Sequence, residues 1–245
     1  QGWKRKYPVV LPGYKECKDA VNSFYFVQVL SEKLDDKAVI VTDMGTSFTC
    51  TMQTFKTKLG QRLSTSSGHA SMGFGLPGAI GACIGNNRKD TICISGDGGL
   101  QMNIQELQTI VHYKLPIKLF VLNNNGYLTI KATQQNHFGR FVGAEQSSGV
   151  TCPDIIKVAA AYGLPTATIR NTEELNMKID SILQTPGPIV CEIIMSENQP
   201  LIPRVSSLKK PDGTIISKPI EDLYPFLDRE EFFENMIVSP IEILK

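Results

Sequence analysis

The chain is organised by an alternation. Short apolar, β-branched runs, each stopped by an acid, a glycine or an asparagine, take turns with amphipathic segments. Residues 37–43 (KAVIVTD) end on Asp43 and pass into Met44-Gly45-Thr46-Ser47, a strand running into a turn and a helix start. Residues 91–95 (TICIS) repeat the pattern and lead into Gly96-Asp97-Gly98-Gly99; residues 103–114 then predict a helix with Ile104, Leu107, Ile110 and Val111 on one face. Residues 117–122 (IKLFVL) stop at Asn123-Asn124-Asn125-Gly126. Further on, 153–162 predicts a helix ended by Gly163, 165–170 a strand, 172–183 a helix and 188–195 (PIVCEIIM) a strand. Strands that are apolar throughout and separated by helices define an α/β fold, a doubly wound parallel sheet with helices on both faces. Such sheets bind ligands beyond the carboxyl ends of their strands, so the turns there are the candidate site.

Composition narrows the function classes. With 25 basic against 24 acidic side chains the formal charge is +1, so no global basic field exists to gather nucleic acid. No apolar run approaches the ~18 residues of a membrane span. The six cysteines form no C-x-x-C pair and follow no secretory signal, which argues for a reduced, cytoplasmic compartment and against a zinc site. A dinucleotide fold is disfavoured, because no G-x-G-x-x-G follows the first strand and Gly73-Phe74-Gly75-Leu76-Pro77-Gly78 carries a proline in its would-be first helical turn.

The turns carry chemistry. Glycines flanking Asp97 let the backbone bend sharply and bring amides near a ligand, while a carboxylate at a strand end is a hard oxygen donor suited to Mg²⁺. Asn124 follows Asp97 by 27 positions, the spacing of a strand-helix-strand unit that sets both on one sheet edge. One carboxylate, one amide oxygen and a main-chain carbonyl near Gly126 make half an octahedral shell, and phosphate oxygens and water suit the rest. The helix expected from Asn103 would point its positive end at that phosphate.

The stretch from Gly96 to Asn124 resembles the diphosphate-binding signature of thiamine-diphosphate enzymes, a G-D-G followed by N-N, and the order of elements over residues 21–195 is similar to the pyrophosphate-binding domain of the acetolactate synthase and pyruvate decarboxylase group. That resemblance implies thiamine diphosphate and Mg²⁺ as cofactors, with Asp97, Asn124 and the Gly126 carbonyl as metal ligands. It places Gly96, Gly98, Gly99 and Tyr127 against the cofactor. Gly45-Thr46-Ser47 resembles a segment whose hydroxyls reach the diphosphate; the same hydroxyls would equally serve a helix N-cap. Gly68-His69-Ala70-Ser71-Met72-Gly73 is similar to the segment that receives the bent cofactor, with Met72 as the apolar wedge and Ala70 and Met72 facing the aminopyrimidine. His69 stands beside the wedge as a substrate-pocket candidate.

By the same resemblance, pyruvate decarboxylases place an acid six residues after the second asparagine; here that position is Ile130, the apolar type shown by acetolactate synthases. Thr46-Ser47 and Thr133 depart from the synthase pattern, which has Gln-His and a tryptophan there. Ile130 and Thr133 are therefore substrate-pocket candidates. The resemblance implies decarboxylation of a 2-oxo acid and transfer of the acyl carbanion to an acceptor carbonyl. The alternatives are a non-ligating decarboxylase and an isolated cofactor-binding module. No catalytic residue is expected in this chain, because the activating glutamate of such enzymes lies on a pyrimidine-binding domain of a neighbouring subunit in a homodimer or homotetramer. Any FAD would likewise sit on a domain outside these residues. Glu106 matches a family glutamate or is a solvated helix acid, and His112 reads as a surface residue. His137, Arg140 and Glu145 read as a polar loop over the site. Residues 1–22 read as a linker from a preceding domain, 23–196 as the cofactor-binding domain and 197–245 as a capping tail with a Pro211-Asp212-Gly213 turn. At 245 residues the chain is expected to hold half of an active site.

Overall fold

The computed structural model describes residues 2–209 and 212–238; of Leu208 and Lys209 the backbone alone is described. Two compact units divide the chain, Gln1–Gln199 and Pro200–Lys245.

The first unit is built on six parallel strands: β1 (Val39–Thr42), β2 (Arg62–Thr65), β3 (Thr91–Gly96), β4 (Ile117–Asn123), β5 (Thr166–Ile169) and β6 (Ile189–Ile194). Their order is β2-β1-β3-β4-β6-β5, and every pairing is parallel. The helices of this unit are α1 (Gly2–Lys6), α2 (Ser23–Lys33), α3 (Thr46–Thr54), α4 (Gly75–Gly85), α5 (Asp97–Leu100), α6 (Leu107–Tyr113), α7 (Leu128–Phe138), α8 (Ile155–Ala161) and α9 (Thr172–Gln184). Side chains alternate across each strand, so β1 sends Val41 to one face and Ile40 to the other. On Val41's face Leu76, Ala79 and Cys83 of α4, Leu107 and Ile110 of α6 and Ile155 and Ala159 of α8 close the core with Cys93, Leu119 and Val121. On the opposite face Phe26 of α2 packs at 5.4 Å, tilted, on Phe120 of β4. Both faces are covered, as the unbroken apolar runs predict.

Local chemistry sets the boundaries. Asn22 caps α2 by accepting from the Phe24 and Tyr25 amides, and Asn171 caps α9 by accepting from Glu174 N at 2.9 Å. Gln199 closes on the start of α2, accepting from Ser23 N at 2.8 Å and donating to Ser23 Oγ at 2.7 Å. The helix expected from Asn103 is corrected: the helical run begins at Asp97, directly after β3, passes through a 3-10 turn (Gln101–Glu106) and becomes α6 only at Leu107. Asn103 leaves helical geometry at φ −140° because its side chain donates to the Gly73 carbonyl at 2.9 Å. The polar loop expected around His137 is also corrected, since α7 runs through Phe138.

The second unit holds an antiparallel hairpin, β7 (Ser207–Lys209) with β8 (Ile215–Ser217), and α10 (Arg229–Asn235). Buried Asp222 organises it, accepting both Arg229 guanidinium arms at 2.9 Å and Lys218 Nζ at 2.8 Å. Burial alone would raise this carboxyl; the arginine and lysine outweigh it and hold it below the ordinary aspartate value. Of the expected turn, Pro211 lies outside the described residues, while Asp212 accepts from Thr214 N and Gly213 takes φ +87°. Among the described residues no helix is long and apolar enough to cross a membrane.

Candidate cofactor and metal site

Strand order locates the site. From β1 the chain steps outward to β2, then returns past β1 to β3, so winding reverses between β1 and β3. At such a switch point the connecting loops diverge and leave a crevice at the carboxyl ends. A cleft of about 320 Å³ opens there, lined by Gly45, Thr46, Ala70 and Met72 on one side and Asp97, Asn124 and Tyr127 on the other.

Asp97 is 7 % exposed. Its Oδ1 accepts from Gly98 N at 2.8 Å, and its Oδ2 from Gly126 N at 3.0 Å and Asn124 N at 3.2 Å. Even with these amides, burial pushes its pKa up to about 6, the mark of a carboxylate short of positive charge. The Asn124 side chain supplies the complementary observation. One atom of its terminal amide lies 3.0 Å from Asp97 Oδ1 and 3.2 Å from the Gly126 carbonyl oxygen. With no cation, the amide nitrogen must occupy that place and donate to both oxygens. With a cation among them, the amide oxygen turns inward, and three oxygens so spaced match the ~3 Å edge of an octahedron with 2.0–2.1 Å bonds. The donor set, one carboxylate and two neutral oxygens, fits Mg²⁺ and leaves positions for phosphate and water. No group of three His, Cys, Asp or Glu side chains suited to a metal occurs among the described residues.

Backbone constraints hold this triad together. A Cβ at Gly98 would fall 2.3 Å from the Tyr127 ring, so the phenol packs closely against that glycine. Gly126 takes φ +151°, and a Cβ there would meet the Ala144 carbonyl at 2.5 Å. Helix α3 begins at the cleft with Thr46, and no side chain caps its first turn, whose amides and dipole suit a diphosphate.

Eleven sequence-selected residues line the cleft together: Thr46, Ala70, Met72, Gly96, Asp97, Gly98, Gly99, Asn124, Gly126, Tyr127 and Ile130. Three lie elsewhere. Ser47 is buried and donates inward to the Met44 carbonyl at 2.9 Å, His69 is exposed outside the lining, and Thr133 points back to the Thr129 carbonyl at 3.0 Å. The N-cap of α3 is Gly45, and neither hydroxyl caps it. Glu106 accepts from Thr109 Oγ1 at 2.7 Å, a local contact from the residue preceding α6 to its first turn. His112 is exposed, edge-on to Tyr113.

Two supports escaped the sequence reading. Asp43 is 1 % exposed and accepts from Met44 N at 2.7 Å, Ser95 Oγ at 2.8 Å and Gly73 N at 2.9 Å. It thereby ties the Ala70–Met72 wall to the ends of β1 and β3. Only its position, an acid closing a β-branched run, signalled it. Cys152 receives Gln101 Nε2 at 3.1 Å beside Asp97. Burial, then the neighbouring carboxylate, pushes its thiol up to about 12, so it stays protonated and faces Asp97 as a neutral donor.

At its switch point the parallel sheet thus brings together a carboxylate, a side-chain amide and a main-chain carbonyl. Residues 43–193 match the family described as thiamine pyrophosphate enzyme, C-terminal TPP binding domain, and the chain belongs to that family. It is similar to the acetolactate synthase large subunit of Cyanidium caldarium, 34% identical over 83% of this chain and 34% of that protein. The acetolactate synthase large subunit of Pyropia yezoensis is 34% identical over 89% of the chain and 36% of its own length, and chloroplastic acetolactate synthase 2 of Nicotiana tabacum 33% over 83% and 31%. The chain spans about a third of the length of these curated relatives.

Proposed function

We propose that this chain binds thiamine diphosphate through Mg²⁺ held by Asp97, Asn124 and the Gly126 carbonyl. It would form the diphosphate half of an acetolactate-synthase-like active site that decarboxylates a 2-oxo acid and passes the acyl carbanion to an acceptor carbonyl. The observation that carries this is the spacing of the three oxygens, 3.0 and 3.2 Å from the Asn124 amide atom, at the switch point of a sheet whose family binds the cofactor. When bound, the cofactor's thiazolium takes up the electron pair released as CO₂ leaves.

The protein's share is placement and exclusion. Asp97 and Asn124 would hold the cation, and the start of α3 would receive diphosphate oxygens. Met72, 37 % exposed at the cleft, would offer the cofactor an apolar edge. Ile130 places a side chain without a proton donor at the cleft's α7 wall, which favours capture by a second carbonyl over protonation. Among the described residues the cleft lining carries one ionisable carboxyl, Asp97, and on the proposed reading the activating glutamate would be supplied by a second domain in a homodimer or homotetramer.

Calorimetry with thiamine diphosphate, with and without Mg²⁺, tests the binding half in the intact protein. Mg²⁺-dependent heat that vanishes on chelation is expected; no heat in either condition overturns the reading. Product analysis with pyruvate tests the chemistry, for which acetolactate or a mixed ligation product is expected. Acetaldehyde as sole product would identify a non-ligating decarboxylase instead.

A further inference from the structure

The Gly126 carbonyl and the Tyr127 N–H belong to one peptide unit. A trans peptide points these groups in opposite directions, so fixing one aims the other. Tyr127 N donates to the Ala144 carbonyl at 2.9 Å, on the side away from Asn124, and this turns the Gly126 oxygen toward the Asn124 amide at 3.2 Å. What holds the Ala144 carbonyl therefore aims a candidate metal ligand.

Ala144 is fully buried and sits in a tightly bonded turn. Ser148 Oγ accepts from Ala144 N and Glu145 N, each at 3.0 Å, and Gly143 N donates to the Ser148 carbonyl at 2.8 Å. Besides the backbone bridge between Gly126 and Glu145, two side chains of α7 fasten the turn. Gln134 grips the Val142 backbone with both amide atoms, each at 2.9 Å. Lys131 forms an ion pair with Glu145, their side chains 14% and 22% exposed, and lies 5.5 Å from the Phe141 ring centroid. Lys131 N in turn donates to the Tyr127 carbonyl at 2.8 Å, closing a ring from Tyr127 through Lys131, Glu145 and Ala144 back to Tyr127. The ring contains no cleft-lining charge, so binding the cofactor does not account for it.

We propose that Lys131 and Glu145 are positioning residues that set the direction of the Gly126 carbonyl and so the affinity of the site for its divalent cation. This rests on the metal-binding reading above. Lys131→Met leaves Glu145 unpaired and loosens the turn, Glu145→Gln keeps the hydrogen bonds without the charge, and the exchanged pair Lys131→Glu/Glu145→Lys restores attraction. The readout is Mn²⁺ titration of the intact protein with saturating thiamine diphosphate, followed by loss of the free-ion EPR signal, with thermal unfolding measured alongside. Lys131→Met is expected to weaken Mn²⁺ binding by about tenfold, as supports behind metal ligands commonly do, with Glu145→Gln falling between it and the parent. The exchanged pair should recover most of the loss, which a general loss of stability would not. Both single variants binding within about twofold of the parent, or an exchanged pair weaker than either single, would overturn the proposal. Asp97→Asn separates the two levels. If it leaves Mn²⁺ binding intact, the metal reading fails and takes this inference with it; if it abolishes binding while Lys131→Met does nothing, only the role of the pair falls.

Discussion

Asp43 and Asp97 stand at the carboxyl ends of the neighbouring strands β1 and β3, both buried, both bonded to backbone amides, and the fold uses them for opposite ends. The Asp43 carboxylate is bonded by donors from its own unit, Met44 N, Gly73 N and Ser95 Oγ. Around Asp97 the amides cover one side, while the other meets the Asn124 amide and, beyond it, the Gly126 carbonyl. A carboxylate enclosed by donors is a structural tie. One whose open side faces further acceptors suits a cation, as the proposed function requires.

That contrast breaks or sharpens in a definite order. Asp43→Ala strands three buried donors and should cost on the order of 3–5 kcal/mol, read as a lower urea midpoint in chelator. Asp97→Asn should leave that midpoint within about 1 kcal/mol yet weaken Mg²⁺ binding by at least about 100-fold, roughly 2.7 kcal/mol, by calorimetry. If the two variants unfolded the protein equally, the distinction would collapse. Gly98→Ala drives a methyl into the Tyr127 ring and is expected to cost about 1–3 kcal/mol in thermal unfolding, with cofactor affinity falling as well.

Acidity supplies a finer test. Burial holds the cation-free Asp97 carboxyl at about 6, above its ordinary 3.8. The folded value is the higher one, so this group's contribution to cation-free stability is full below the ordinary value and is lost as pH rises through about 6. A cation needs the ionised form and follows the reverse trend. Mg²⁺ affinity should fall about tenfold between about pH 7 and about pH 5, and a flat profile would mean that Asp97 does not meet the metal. The smallest effect belongs to Ser95→Ala, which removes one of the Asp43 bonds for about 1 kcal/mol while Mg²⁺ affinity holds.

The strands were legible because burial on both faces demands unbroken apolar runs, and residues 91–95 and 117–122 fall inside β3 and β4. Lys118 is the exception within such a run. It is buried, and its ammonium is accommodated by the Thr185 and Gly187 carbonyls, partners 67 and 69 positions away that no local pattern announces. β2 was missed for the opposite reason, since an edge strand with alternating exposure carries mixed residues (RLST). Of the site, the two turns could be located because their residue types mark them and part of their bonding is local, Gly98 N to Asp97 Oδ1 and Asn125 N to Asn123 Oδ1. Ser47 could not be read, because a hydroxyl at a helix start serves a ligand or the backbone equally well, and here the Met44 carbonyl claims it. The segment around Glu145 could not either, because its order comes from Lys131 on α7, fourteen positions earlier, and from the return of Ala144 onto Tyr127.

The first turn of α7 has a consequence for redesign. Leu128, Thr129 and Ile130 face the cleft from that helix, while Asp97 and Asn124 sit on turns that precede it. Cleft wall and metal-facing turns are thus separate modules of sequence. Under the proposed function, positions 129 and 130 are the ones to randomise for a changed acceptor with Asp97 and Asn124 untouched, provided Lys131 between wall and turn is kept.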